Sequence, residues 1–253
     1  RGWRDAQGLK GEAPLKETLA AAMLAAAGWH GRPEDGGLLD PCCGAGTIAI
    51  EAAQIACGIA PGLARRFAFE KLLPFRAHLG AWQALRQRAQ SAVHPPAVPI
   101  WAGDVSFRMT DFATRNAERA GVKHAIEFKT ADALQRPAPA ERGLIVMNPP
   151  YGERIAPKGQ GQGAARSEAP TGEKFEGAAD AADFYARLAA HWKKQYAGWT
   201  AQVLTPEAKL PGLMRLKESR RVPMWNGAIE CRLFRFDMVA GGNRTPSTGT
   251  ASA

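Results

Sequence analysis

The stretch "GGLLDPCCGAGTIAIEAAQIA", residues 36–56, constrains the fold more than any other part of the chain. An apolar strand ends at Asp40, a glycine-bearing loop follows, and a helix starts after Gly46. Strand, glycine turn and helix in that order open a parallel α/β unit. The alternation continues downstream. "VPIWAGD" reads as the second strand, "TDFATRNAERAG" as a helix ended by Gly121, "AIEFKTAD" as the third strand, "GLIVMN" as the fourth and "AQVLT" as the fifth. A helix over about residues 14–28 precedes the first strand. The expected fold is an α/β, doubly wound sheet.

The remaining segments fit around that sheet. Residues 59–90 are basic and aromatic, with helical spacing broken at Pro74, and read as a helical insertion. Phe184, Leu188 and Trp192 recur every four residues on one helical face, the spacing of plain core packing. Asn226-Gly227 between apolar runs is a hairpin signal. Residues 157–182 are rich in Gly, Ala and charge and are expected to form a mobile loop. The tail from 241 to 253 is expected to be disordered, which leaves one domain over 1–240.

At 253 residues and 45% hydrophobic composition the chain can bury a real core. Its 33 Lys+Arg against 24 Asp+Glu give a net charge of +9, which favours a polyanionic partner such as nucleic acid. Cys42, Cys43, Cys57 and Cys231 make neither a C-x-x-C pattern nor a disulfide framework, so a reducing, cytoplasmic setting is expected. His30, His78, His94, His124 and His191 show no ligand spacing, and no metal is expected. "LAAAMLAAAGW" is too short and alanine-rich to span a bilayer. The chain begins at Arg1, and an upstream domain is expected to be missing.

Two places carry chemistry. In "DPCCGAGT", Gly44 and Gly46 let the backbone approach a ligand at a helix N-terminus, while Asp40 adds a carboxylate at the end of a strand. The spelling G-x-G-x-x-A at Gly44, Gly46 and Ala49 also satisfies a relaxed dinucleotide fingerprint. A nicotinamide site wants an acid about 20 residues on, at the end of the next strand. Glu70, the nearest candidate, lies in an arginine-rich helical stretch, and Asp104 lies far beyond that distance. Asp40 would also repel a pyrophosphate. It suits a ligand bearing an ammonium and a sulfonium. Asp104 and Asp132, at the ends of the second and third strands, suit ribose hydroxyls and an adenine amine.

The second place is "NPPY". In S-adenosylmethionine-dependent amino methyltransferases a strand ending in these residues holds a planar amine beside the sulfonium methyl, and Asn148, Pro149, Pro150 and Tyr151 match. A conjugated NH₂ is a poor nucleophile because its lone pair is delocalised. The site must therefore accept both N–H bonds and favour a pyramidal nitrogen, roles open to the Asn148 side-chain oxygen and the Pro149 carbonyl. Tyr151 can stack on the planar substrate.

Taken in order, "APLKETLAAAML", "LLDPCCGAGTIAIEAA", "GDVSFRMTDFATRNAERAGV", "MNPPYGER" and "WNGAIECRLFRF" resemble the bacterial 23S rRNA guanine-N2 methyltransferases of the large-subunit L/K type, a group also described as N6-adenine DNA methylases. The resemblance covers nearly everything except residues 157–182 and the tail. It implies a seven-stranded, Rossmann-like class I methyltransferase sheet with a C-terminal antiparallel hairpin. It implies methyl transfer from S-adenosylmethionine to guanine N2 of 23S ribosomal RNA or its precursor. It places Asp40, Cys42, Gly44, Gly46, Thr47, Asp104, Val105, Asp132, Ala133 and Asn148 around the cofactor, and Asn148, Pro149, Pro150 and Tyr151 at the base. Members carry an N-terminal RNA-binding THUMP domain that this sequence lacks. Adenine-N6 methylation of DNA or RNA is the nearest alternative, protein glutamine methylation fits the charge less well, and a binding module without catalysis is the third.

Overall fold

The computed structural model describes residues 15–149 and 178–239, with side chains from 181 onward in the second segment. The chain opens with α1 (Glu17–Ala27), β1 (Gly37–Asp40) and α2 (Thr47–Ala56). Two 3₁₀ turns (Ala68–Lys71 and Leu73–His78) and α3 (Leu79–Ser91) follow. Next come β2 (Ile100–Asp104), α4 (Phe107–Arg119), β3 (Glu127–Thr130) and β4 (Gly143–Met147). The C-terminal part contains α5 (Ala178–Gln195), β5 (Thr200–Thr205), α6 (Leu210–Met214), β6 (Arg220–Asn226) and β7 (Ile229–Asp237).

The strands form one seven-stranded sheet in the order β3-β2-β1-β4-β5-β7-β6. The first five are parallel, and β7 runs antiparallel between β5 and β6. Alternation along each strand sends neighbouring side chains to opposite faces. Leu38, Ile100, Leu144 and Val146 join α1, α2 and α4 in one core, while Leu39, Trp101, Ile145 and Met147 join α5 and α6 in the other. Phe184, Leu188 and Trp192 are all buried in that second core, as their spacing predicts. The result is a three-layer α/β/α arrangement.

The insertion is helical only in part. Pro74 sits in the first turn of the second 3₁₀ turn, and α3 alone is an α-helix. Neither the 3₁₀ turns nor α3 buries a residue in the main cores. Instead Phe67, Phe69, Phe75 and Trp82 pack on one another, with Phe69 and Phe75 ring centroids 4.6 Å apart. Glu70 caps its own turn by accepting the Phe67 N–H, at 2.9 Å, and stands in a 3₁₀ turn of the insertion, not at the end of a strand. The predicted hairpin forms, with Asn226 paired to Ile229 and Gly227 at φ 67° as the first of two loop residues. The five-residue α6 was not foreseen; Pro211 in its first turn is its one start signal.

Most of the stretch at 157–182 and all of the tail at 241–253 lie outside the described residues, as do Pro150 and Tyr151. No helix among the described residues is long and apolar enough to cross a membrane.

Candidate active site at the carboxyl edge of the sheet

Strand order builds the site. Asp40 ends β1 and Asp104 ends β2, Asp132 lies two residues past β3, and Asn148 directly follows β4. Because β3, β2, β1 and β4 are neighbours in that order, these four side chains stand in one row along the carboxyl edge. At a strand spacing near 4.8 Å the row is about 14 Å long, enough for an extended nucleoside-amino acid ligand. Strand order reverses between β1 and β4, with β2 and β3 added on one side of β1 and β4 and β5 on the other, so Asp40 and Asn148 flank the switch-point crevice where open α/β sheets bind ligands.

The glycine loop is tied down from several sides. The Cys43 N–H donates to the Gly103 carbonyl at 2.7 Å, and the Gly44 N–H donates to Asp104 Oδ2 at 3.0 Å. From α4, Asn116 Nδ2 donates to the Ala45 carbonyl at 2.8 Å. Gly44 and Gly46 both have positive φ, 50° and 83°, but for different reasons. A Cβ on Gly44 would meet only the end of Met109, 3.9 Å away, so this is the backbone that faces open space. A Cβ on Gly46 would stand 3.0 Å from the Ala113 Cβ and 3.3 Å from its Cα. On the side where a side chain would stand, Gly46 therefore admits helix α4. We expect Gly46→Ala to lower the melting temperature, through both the packing contact and a left-handed conformation costing about 1–2 kcal/mol. Gly44→Ala should instead lose cofactor affinity with the smaller thermal shift; thermal melts paired with calorimetric titration of S-adenosylmethionine separate the two.

Asp40 is 1% exposed, and its Oδ1 accepts the Cys42 N–H at 3.3 Å. Its Oδ2 has no hydrogen-bond partner among the described residues. Burial pushes its pKa well above the usual carboxylate value, helped by the charge of Asp104 and opposed by the Cys42 N–H and the Arg136 guanidinium. Asp104 is shifted up as well by burial, against the pull of the Ser106 and Gly44 N–H groups. An orphaned, buried, proton-hungry carboxylate at a ligand crevice is poised for a cation.

Asp104 accepts the Ser106 N–H at 2.9 Å in addition to that of Gly44, and Asp132 takes the Leu134 N–H at 2.8 Å and the Gln135 side chain at 2.9 Å. Both acids thus organise their own loops while keeping lone pairs free for ligand hydroxyls or amines. Replacing Asp104 with alanine should weaken S-adenosylmethionine by at least the 1.5–3 kcal/mol of a charged hydrogen bond, because the loop tie is lost with the ribose contact. Unchanged affinity by calorimetry would move the ribose elsewhere. Thr47 is buried at the start of α2, Val105 is exposed, and Ala133 is buried beneath the turn after β3. Asn148 is half-buried, and its Oδ1 has no hydrogen-bond partner among the described residues; Pro149 beside it is buried.

Three residues enter the picture only in the structure. The Asn116 side chain braces the glycine loop and the Ser106 backbone N–H holds Asp104, and neither residue is marked by any spacing. Arg136, 6% exposed, packs against the Gly103 backbone, where a Cβ would meet its Nη1 at 2.7 Å. Its carbonyl accepts from Tyr196 Oη at 2.9 Å and from His191 Nε2 at 2.7 Å, and burial pushes the Tyr196 pKa up to about 12. Among the described residues no cluster of His, Cys, Asp and Glu could hold a metal ion.

This strand order, with a fixed glycine loop, strand-end acids and an open amide at the switch point, defines a class I S-adenosylmethionine-dependent methyltransferase domain. The model of the family "RMKL-like, methyltransferase domain" matches residues 1–164, and the chain belongs to that family. It is 38% identical over 250 residues to the ribosomal RNA large subunit methyltransferase K/L of Shewanella baltica, and 36% identical over 249 residues to that of Shewanella loihica. Each match covers 96% of this chain but 31% of the relative, so the chain spans about a third of the length of those proteins. Among solved structures, the SMU.472 protein in complex with SAH superposes with a TM-score of 0.74 at 26% identity, covering 92% of this chain and 55% of that one. A protein described as a predicted N6-adenine-specific DNA methylase from Listeria monocytogenes gives 0.72 at 28% identity, covering 93% and 53%.

Proposed function

We propose that this domain transfers a methyl group from S-adenosylmethionine to the exocyclic N2 of a guanine in 23S ribosomal RNA. The observation that carries the reading is Asn148 Oδ1, a buried amide oxygen without a hydrogen-bond partner among the described residues, at the crevice beside the orphaned Asp40 Oδ2. The names of the K/L relatives support ribosomal RNA as the substrate. So does the insertion, where Arg65, Arg66, Lys71, Arg76, Arg86 and Arg88 face the single acid Glu70.

The residues divide the work. Asp40 holds the cationic end of the cofactor, Gly44 gives its body backbone clearance, and Asp104 and Asp132 take its ribose and adenine. When bound, S-adenosylmethionine supplies an electrophilic methyl on a sulfonium. Asn148 Oδ1 accepts one N–H of the base amine and the Pro149 carbonyl accepts the other, which draws the lone pair out of conjugation and aims it in line. Tyr151 stacks on the ring. No strong base is needed, because the amine proton becomes acidic once the nitrogen is alkylated.

Incubating the chain with methyl-labelled S-adenosylmethionine and unmodified 23S rRNA, then digesting to nucleosides for mass analysis, tests the reading. N2-methylguanosine is the expected product. N6-methyladenosine would establish the alternative that uses the same corner, and no transfer to any RNA would remove the proposal.

A further inference from the structure

The sheet register lifts one exposed aromatic residue above the catalytic edge. Strand β5 runs parallel to β4, and its last paired residue, Thr205, faces Arg232 of β7. The β6–β7 hairpin continues past that point through Cys231, Glu230 and Ile229, paired with Met224, Trp225 and Asn226. Three residues of strand carry its tip about 10 Å beyond the level of Pro149, on the same edge of the sheet. Sideways, β6 lies three strand spacings from β4, about 14 Å.

Trp225 at this tip is 60% exposed, and Ile229 beside it is 44% exposed. Packing does not require that exposure, since Met224 and Cys231 anchor the hairpin from the other face, inside the core of α1 and α2. The exposed cations lie further back along the strand: Arg221 is on the Trp225 face four residues earlier, about 13 Å away, and Arg220, Lys217 and Arg215 lie beyond it, with Glu218 half-exposed among them. Glu230, directly opposite Trp225, is paired with Arg232 at 3.1 Å, so its charge is balanced. Pro223 and the arginines also block strand addition at this sheet edge, which leaves the aromatic tip as the part available to a ligand.

An exposed indole overhanging an edge where a nucleobase reacts, on a strand that carries exposed arginines further back, has the chemistry of a single-strand stacking platform. We propose that Trp225 stacks on an unpaired base flanking the target nucleotide, while Arg221, on the same face of β6 and about 13 Å back along it, holds a phosphate further along the strand. The platform rests on the reading of the domain as an RNA methyltransferase. It fixes where the strand runs once the target base is turned out of its stack.

The probe is a guanine-containing single-stranded RNA of about 12 nucleotides, within the span of such sites. Trp225→Ala should weaken its binding about 5- to 150-fold, the equivalent of one lost stack, and raise KM for RNA while S-adenosylmethionine affinity stays at the wild-type value. Trp225→Phe should keep most of the RNA affinity yet lose the part of the tryptophan fluorescence quench that the wild type shows on binding. Equal RNA affinity in Trp225→Ala and wild type overturns the platform and leaves this tip to a contact with another protein segment. Methylation tests the other reading separately: RNA bound through Trp225 without methyl transfer removes the proposed reaction and keeps the platform. Methylation insensitive to Trp225 removes the platform alone.

Discussion

Asn148→Ala is expected to lower kcat by about 10²-fold or more while the dissociation constant of S-adenosylmethionine hardly moves. In the absence of ligand, Asn148 Oδ1 has no hydrogen-bond partner among the described residues, so its removal breaks no bond of that oxygen to them. What is lost is an acceptor that matters most as the amine nitrogen pyramidalises, and that loss belongs to the transition state. Asn148→Asp keeps an oxygen but adds a charge two strand positions beyond the level of Asp40, so it should recover little. Single-turnover methylation at saturating cofactor separates chemistry from binding. An alanine variant with wild-type turnover would strip Asn148 of its role.

Asp40→Asn should show the opposite division: cofactor affinity falls by about 10²-fold or more, while the protein without ligand becomes more stable. The ordinary carboxyl value is 3.8, and burial raises that of Asp40 well above it in the fold. The folded chain therefore retains a proton that the unfolded chain has released. The stability tied to this group is fully present below the unfolded value and is lost as pH rises through the folded one. Above the folded value the wild type carries the cost of a buried, half-satisfied carboxylate, and asparagine removes that charge. The melting temperature should rise by about 2–4 °C for each kcal/mol recovered in a domain of this size. The difference between the two stability curves should shrink toward low pH.

Ligand binding reverses the sense. A cation at Oδ2 favours the ionised carboxylate, so affinity for S-adenosylmethionine should climb with pH through the folded-state titration of Asp40 and binding should release protons. Titration calorimetry in two buffers of different ionisation enthalpy measures that release. A variant that binds as tightly as wild type, or that melts lower, would move the cationic end of the cofactor away from Asp40.

The two glycines of one motif show how far a spelling can be trusted. Gly44 and Gly46 look alike in "CGAG", and both do need positive φ. Their reasons part only when α4 is in place, because Ala113 lies far along the chain and its closeness to Gly46 follows from how α4 packs on the sheet. The strand-end acids make the same point. Their positions at strand ends are visible in the periodicity, but their hydrogen bonds to the N–H groups of Gly44, Ser106 and Leu134 are not.

Local chemistry is what the sequence determined by itself. Apolar runs ending at Asp40, Asp104 and Asn148 mark strands, the glycines and Asn226-Gly227 mark turns, and each such signal depends on residues a few positions apart. The alternation of strand and helix then restricts the sheet to a doubly wound one. Tertiary structure alone decided the row Asp132, Asp104, Asp40, Asn148, which follows neither chain order nor spacing, because strand order arises from how helices cover both faces of the sheet. It also decided that Arg136 would lie buried against Gly103 and that Trp225 would stand exposed on a hairpin extending past the end of β5. Burial and register depend on contacts between residues remote along the chain, and no local pattern encodes them.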